Sequence, residues 1–284
     1  MSIDPSADPR LSYLIDAALA GARVVMEVYG TDFSVAHKVD DSPVSEADLR
    51  SEQAIAGALA ATMPDVLIVA EEEMAAGSRP EIGHAFLLVD PLDGTKEFIS
   101  RNGEFTVNIA LIEDGVPVVG VVLAPALGLA YAGSAAGAWN GAISADLNRV
   151  VGWAAIKARP SGSHPVAVAS RSHMNPATAD ALSQADCGEH RSIGSSLKFV
   201  LLAEGEADFY PRLGPTMEWD TAAGDAVLRA AGGVVLTLEG APLRYGKIGV
   251  AKMRDFENPY FLAAGDPALL ERLDLIALRS TKTA

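Results

Sequence analysis

The 284-residue sequence predicts a mixed α+β and α/β fold built in two halves. Two observations carry that expectation. Residues 106–145 are short apolar stretches separated by tight-turn signals, the pattern of an antiparallel meander. Residues 165–273 alternate short apolar runs with stretches of helical period, the pattern of α/β layering. Between them lies RPSGSHP, a Pro/Ser/Gly-rich stretch that reads as a boundary. Residues 1–160 are therefore read as an N-terminal α+β domain, and residues 161–284 as a C-terminal α/β domain.

Residues 11–30 carry apolar positions at helical spacing, and Gly30 is a natural stop. A polar, Pro-broken loop follows. Ser45 with Asp48 three residues on has capping-box spacing, and the helix it opens runs to Pro64. Val66–Ala70 is a short strand that ends in Glu71, Glu72 and Glu73. A Gly-containing loop leads to LLVDPLDGTKEF, residues 87–98. Its apolar lead reads as a buried strand that Pro91 and Gly94 stop and turn, which puts Asp90 and Asp93 at an exposed strand end. FTVNIALI, Asp114-Gly115 and VPVVGVVLA form a hairpin, and LAYAG and GAWNG extend the meander. In the second half PVAVAS is a strand and ATADALSQA a helix. RSIGSS leads into the helix LKFVLLAEG, and ADFYPR is a strand. WDTAAGDAVLRAAGG is a helix that ends at Gly232-Gly233. VVLTLEG, YFLAAG and the helix DPALLERL close the chain.

The composition narrows the function classes. A formal net charge of -15 argues against nucleic-acid binding, which needs a basic surface. It also means that an anionic substrate depends on a local cation, since the overall field repels it. The single cysteine, Cys187, excludes a disulfide framework and fits a reducing cytosol. The N-terminus lacks the pattern of a signal peptide. Gly115–Ala145 contains no charged residue, but its prolines and glycines break it into soluble strands rather than a membrane span. No Gly-x-Gly-x-x-Gly, Walker loop or Gly-x-Ser-x-Gly elbow is present.

The acidic residues are the chemical signal. Asp90 and Asp93 lie in one tight loop with a freed carbonyl between them, a natural oxygen-donor set for Mg²⁺. Glu71 ends another predicted strand, and Asp220 opens a predicted helix after a Gly-Pro loop. Each alone has an ordinary explanation as a turn, a cap or a solvated acidic run. Together with the carbonyl of Leu92, the four carboxylates supply ligands for two or three Mg²⁺ ions. If the chain turns helical after Asp93, the N–H groups of Gly94 and Thr95 face a phosphate oxygen. Asp48, on the first turn of its helix, could take a proton from the Thr95 hydroxyl, although capping is its ordinary role. Ser195 reads as an N-cap; its functional alternative is a phosphate-binding helix start with Lys198 as counter-charge. His173 follows a predicted strand and could contact a base or phosphate, or lie on the surface.

DPLDGTKEFISRNGEFTVNIALI, with Glu71-Glu72 upstream and WDTAAGDAV downstream, resembles the inositol monophosphatase superfamily of Mg²⁺-dependent, lithium-sensitive phosphatases. Lys96-Glu97-Phe98, SRSH, SIGSSLKF, LLAEG and YPR-x-GPT look most like its bacterial CysQ branch, the 3'(2'),5'-bisphosphate nucleotidases. The resemblance runs from the first helix to the last strand; Met1 to about Arg10 lie outside it. It implies a sandwich of alternating α and β layers. It implies Glu71, Asp90, Leu92 through its carbonyl, Asp93 and Asp220 as ligands of two or three Mg²⁺ ions, and Thr95 with Asp48 as the water-activating pair. Substrate contacts would come from Gly94, Thr95, His173, Ser195, Lys198, Arg212 and Asp220, and Lys38 and Pro43-Val44 would form a loop near the metals.

The expected reaction is hydrolysis of the 3'(2')-phosphate of adenosine 3'(2'),5'-bisphosphate to AMP and phosphate, by metal-activated water. An inositol monophosphatase or sugar-bisphosphate phosphatase is the near alternative, and a non-enzymatic divalent-cation-binding protein the distant one. The expected partner is a small-molecule bisphosphate nucleotide, with no nucleic acid and no obligatory protein partner. Monomer and homodimer both remain open. The expected location is the cytoplasm, with the inner membrane face as a second possibility.

Overall fold

The computed structural model describes residues 5, 8–33, 35–37, 43–170, 175–187 and 189–272. Two long helices come first, α1 (Pro9–Tyr29) and α2 (Glu46–Thr62), with a small hairpin between them, β1 (Val35–His37) and β2 (Pro43–Ser45). Asp8 caps α1 by accepting the Arg10 N–H, Pro9 sits in the first turn, and Gly30 closes the helix. The first helix therefore starts two residues earlier than its apolar spacing suggests.

A seven-stranded sheet follows in strict chain order: β3 (Leu67–Ala70), β4 (Ala85–Asp93), β5 (Thr106–Glu113), β6 (Val116–Ala124), β7 (Leu129–Ser134), β8 (Gly137–Ile143) and β9 (Val150–Ile156). β3 and β4 are parallel, and every later pair is antiparallel. The β5–β6 turn places Asp114 and Gly115 at φ 48° and 74°, the left-handed pair that a tight hairpin needs. Short helices α3 (Glu71–Ala75) and α4 (Thr95–Ile99) leave the C-terminal ends of β3 and β4. The charge-free stretch 115–145 is β6, β7 and β8 with their turns, and no helix among the described residues is long and apolar enough to cross a membrane.

The second half builds β10 (Val166–Ser170), α5 (Pro176–Gln184), β11 (Glu189–Ile193), α6 (Leu197–Ala203), β12 (Phe209–Arg212), α7 (Ala222–Ala230), β13 (Val234–Thr237), β14 (Phe261–Ala264) and α8 (Pro267–Glu271). Its five-stranded sheet has the order β11-β10-β12-β14-β13. β10 is parallel to both neighbours, and the β14 pairs are antiparallel, so the sheet is mixed. Two strands escape sequence reading. β9 is a short, half-exposed sheet edge, and β11 is a polar strand, EHRSI, without apolar alternation.

Side-chain parity sorts these elements into layers. Along β5, Val107, Ile109 and Leu111 point to the α1/α2 core, while Ala110 and Ile112 point to the opposite core. That opposite core also holds Leu197 and Phe199 of α6, Ala223 and Val227 of α7, and Tyr210, Phe261 and Ala263 of the second sheet. The second sheet's other face, with Phe209, Leu262 and Ala264, packs on Ala181 of α5 and Leu269 of α8. The order is thus helix, sheet, helix, sheet, helix, an alternating sandwich of the expected kind. α6 and α7 form the middle layer.

α7 lies unusually close to the first sheet. A Cβ on Gly120 would fall 2.5 Å from the Ala223 carbonyl oxygen, and one on Gly133 would fall 2.6 Å from the Val227 Cα. Both obstacles are helix backbone and cannot turn aside. Gly120→Ala is expected to destabilise the fold by about 1–3 kcal/mol through overpacking, read as a lowered denaturant midpoint. An unchanged midpoint would contradict this packing.

Candidate active site

The same parity that builds the middle layer points the acidic residues into it. Phe86 and Leu88 of β4 face α6 and α7, and Asp90 is next on that face. Pro91 does not end the strand. Pairing with β5 runs to Asp90↔Asn108, breaks in a bulge, and resumes at Asp93↔Thr106. Inside the bulge the Ser51 hydroxyl donates to the Pro91 carbonyl at 3.1 Å, and the Leu92 N–H donates to Asp90 Oδ1 at 3.0 Å. Asp90 is only 1% exposed, so the expectation of two aspartates at an exposed strand end is corrected for it. The bulge absorbs the proline and keeps both aspartates on the sheet.

Glu71 is the first residue of α3, not the start of a solvated acidic run. Glu52, on α2, accepts the Glu72 and Glu73 N–H groups at 2.8 and 3.0 Å and so caps that helix from outside. Sequence reading missed Glu52. Its one signal is that it lies four residues after Asp48, on the same helix face. Asp220 also departs from expectation. It precedes α7 by two residues and does not cap it; its carboxylate accepts the Met217 N–H at 2.8 Å.

Glu71, Asp90 and Asp220 each offer an oxygen, and these oxygens all lie within 4.8 Å of one another. Asp93 is outside that trio but lines the same cleft, where its Oδ2 accepts from Asn108 Nδ2 at 3.1 Å and Thr106 Oγ1 at 3.4 Å. Burial, then the charges of Glu71, Asp93 and Asp220, push the Asp90 carboxyl well above the usual carboxylate range. Burial, then Asp93 and Glu71, push Asp220 up to about 8. Carboxylates crowded this closely, with Asp90 fully buried among them, suit a hard divalent ion bound through oxygen.

Thr95 opens α4 behind Gly94, whose φ of 95° only glycine takes freely. The Thr95 hydroxyl lies 3.3 Å from Asp48 Oδ1 and 3.4 Å from the Leu92 carbonyl. Asp48 is 2% exposed, so α2 presents it to Thr95 rather than to solvent.

The same cleft holds two cations, Lys198 and Arg212. Lys198 is 5% exposed and donates to the carbonyls of Ile193 and Ser195. Burial lowers its ammonium to about 8, against the pull of Asp93. Arg212 follows Tyr210 on the inner face of β12 and donates to the Pro215 carbonyl. Among the described residues its buried Nε has no acceptor. Ser195 is not the N-cap that sequence suggests: Ser196 holds that position, and Ser195 takes a φ of 46° on the cleft wall. Ser170, Glu97, Tyr210 and Thr216 also line the cleft; they lie in SRSH, Lys96-Glu97-Phe98 and YPR-x-GPT, stretches that the sequence marks by resemblance without giving these four residues a role. The structure thus brings together Asp48, Glu71, Asp90, Leu92, Asp93, Gly94, Thr95, Ser195, Lys198, Arg212 and Asp220. His173 and Lys38 lie outside the described residues.

Residues 6–273 match the model of the inositol monophosphatase family. The chain belongs to that family. The match begins before α1, so the family extends further toward the N-terminus than the motifs alone indicate. The chain is 45% identical to the 3'(2'),5'-bisphosphate nucleotidase CysQ of Escherichia coli (strain K12) over 241 residues, 84% of this chain and 92% of that protein. It is 38% identical to the CysQ of Buchnera aphidicola over 83% of this chain and 87% of that one. Among solved structures, CysQ from Bacteroides thetaiotaomicron superposes with a TM-score of 0.75 at 36% identity, covering 90% of this chain and 97% of that one. Members of this family depend on metal for phosphatase activity, and the acidic cluster could hold such an ion.

Proposed function

We propose that this chain is a Mg²⁺-dependent 3'(2'),5'-bisphosphate nucleotidase that converts adenosine 3'(2'),5'-bisphosphate to AMP and phosphate. The observation that carries the reading is one cleft that holds both signs of charge. Glu71, Asp90 and Asp220 crowd their carboxylates within 4.8 Å, and Lys198 and Arg212 line the same cleft as buried cations. Similarity to proteins named as nucleotidases supports the substrate class.

Glu71, Asp90, Asp93, Asp220 and the Leu92 carbonyl would hold two or three Mg²⁺ ions. Bound there, divalent cations would offset the phosphoryl charge and acidify water. The Thr95 hydroxyl, with its proton directed to Asp48, keeps lone pairs free to accept from the attacking water and aim it at phosphorus. Asp48 is the proton acceptor behind it. Attack forms one P–O bond, the bond to the ribose oxygen breaks, and that oxygen takes a proton to become a hydroxyl. The Gly94 and Thr95 N–H groups, Ser195, Lys198, Arg212 and His173 bind the substrate. Residues 1–160 would bring most of the acidic cluster, and residues 161–284 the substrate-binding cations together with Asp220. We read the enzyme as cytoplasmic and acting on a free nucleotide, with no obligatory protein partner.

The test is phosphate release from adenosine 3',5'-bisphosphate and from inositol 1-phosphate, with Mg²⁺ and with chelator. A kcat/KM that favours the nucleotide, and activity lost to chelator, are expected. Preference for the inositol ester would replace the substrate assignment. Metal binding without hydrolysis of either ester would overturn the enzyme reading. Lys198→Ala is expected to raise KM for the nucleotide about tenfold or more, the worth of one charge-assisted hydrogen bond, while kcat changes less. An unchanged KM would remove Lys198 from the substrate site.

A further inference from the structure

Asn108 is an anomaly of the middle layer. It shares its face of β5 with Ala110 and Ile112, is 1% exposed, and is the one amide on an otherwise apolar run. Its Nδ2 donates both to Asp93 Oδ2 at 3.1 Å and to Ser196 Oγ at 3.0 Å. Ser196 is likewise 1% exposed. Although it stands at the N-cap position of α6, its hydroxyl caps nothing there and donates instead to the Asp220 carbonyl at 2.7 Å. The donors run in one direction: Asn108 gives to Asp93 and to Ser196, and Ser196 gives to Asp220. Meanwhile Asn108 Oδ1 is buried with no donor among the described residues. An amide kept in a dry core at the expense of its own carbonyl calls for a reason.

We propose that Asn108 and Ser196 are positioning residues that fix Asp93 and Asp220 relative to each other, and so set the affinity of the acidic cluster for its cation. This rests on the metal-site reading above. Asp93 is carried by the first sheet, and Asp220 by the loop that precedes α7. The relay is a direct polar link between them through α6. Two cleft carboxylates that repel each other need such a link if their spacing is to suit an ion rather than merely reduce repulsion. Neither residue touches substrate in this account. Both act through the two aspartates.

The experiment is calorimetric titration of Mn²⁺ or Mg²⁺ into the metal-free full-length protein, for the wild type, Asn108→Leu, Ser196→Ala and the double variant. Each single change is expected to weaken binding about ten- to hundred-fold. The double variant is expected to lose no more than the worse single one, because both cut the same chain of contacts. Leucine fills a similar volume without an orphaned carbonyl, so the denaturation midpoint of metal-free Asn108→Leu is expected at or above that of the wild type. KM for the nucleotide at saturating metal is expected to stay at the wild-type value.

Wild-type affinity in both singles would overturn the proposal, as would losses that multiply in the double variant. A midpoint of Asn108→Leu that falls along with its affinity would overturn it too, since that is the signature of a structural role. If Asn108→Leu does not fold, Ser196→Ala decides: weaker binding supports the relay, unchanged binding overturns it. A wild type that binds no divalent ion would overturn the metal-site reading itself and this inference with it. A wild type that binds, beside variants that bind equally well, would overturn this inference alone.

Discussion

Asp90→Asn is expected to reduce kcat/KM at least about a thousand-fold and, at the same time, to raise the melting temperature of the metal-free protein. The two effects share one cause. Asp90 is the most buried member of the acidic trio, and its carboxyl is pushed up first by burial and then by Glu71, Asp93 and Asp220. Asparagine has the same shape and can still accept the Leu92 N–H through its Oδ1. What disappears is a group that must either carry a negative charge in a crowded site, as it would beside a metal ion, or take up a proton on folding to avoid that charge. Loss of that charge removes affinity for a divalent cation, whose contribution to phosphoryl transfer is worth several kcal/mol, or about three decades in rate. Without metal, the same loss relieves repulsion that folding otherwise has to overcome. For a chain of this size each kcal/mol gained appears as about 2–4 °C. Steady-state kinetics and thermal melts in chelator check both halves. An active variant would remove Asp90 from the chemistry. An inactive variant with a lowered melting temperature would mean that Asp90 holds up the fold, and that its protonated form is worth more than the repulsion costs.

The legibility of the site in the sequence follows from the range of each signal. Alternation along LLVDPLDG and FTVNIALI is local and marks both as strands, whereas the common face of Asp90 and Asn108 follows only from the pairing register Asp90↔Asn108. Pro91 misleads because a proline usually ends a strand. Here Ser51, forty residues earlier, takes up the freed carbonyl and lets a bulge carry pairing onward. Glu52 is invisible for a related reason. Its partners are the N–H groups of a helix too short to show a period, and nothing in SEQAI or EEEM announces that they meet. Arg212 ends an apolar strand, and only the pairing of β12 with β14 reveals which sheet face it shares with Tyr210. The layered order needs more than alternation. It depends on Gly120 and Gly133 admitting α7 against the first sheet, and a glycine in a strand has many other uses. The acidic cluster is readable because its residues fall in short strings, DPLDGT and WDTAAG, at the ends of apolar runs. The supports behind it come from distant segments and are not.

The pH dependence of stability should invert on adding metal. In the folded, metal-free chain Asp220 keeps its proton up to about pH 8, whereas an unfolded aspartate releases it near 3.8. Between those values the folded state binds more protons than the unfolded state, so stability falls as pH rises; below and above that window this contribution is flat. Asp90, raised by the same burial and the same neighbours, acts in the same direction. Glu52, raised to about 7 by burial, adds to the fall between about pH 4.5 and 7. Lys198 opposes them only at higher pH: its ammonium is lowered from 10.5 to about 8, so relief of its buried charge strengthens the fold above about pH 8. Metal-free protein is therefore expected to melt at progressively lower temperature from pH 5 to pH 8. A divalent ion competes with those protons, so its binding releases them and tightens as pH rises. The melting-temperature gain from saturating Mg²⁺ should be larger at pH 8 than at pH 5. Calorimetry in buffers of different ionisation enthalpy should show proton release below pH 8 that fades above it. Melting curves with and without Mg²⁺ that stay parallel across this range would mean that the carboxylates are already ionised in the metal-free fold, and that crowding at Asp90 and Asp220 is relieved by some other means.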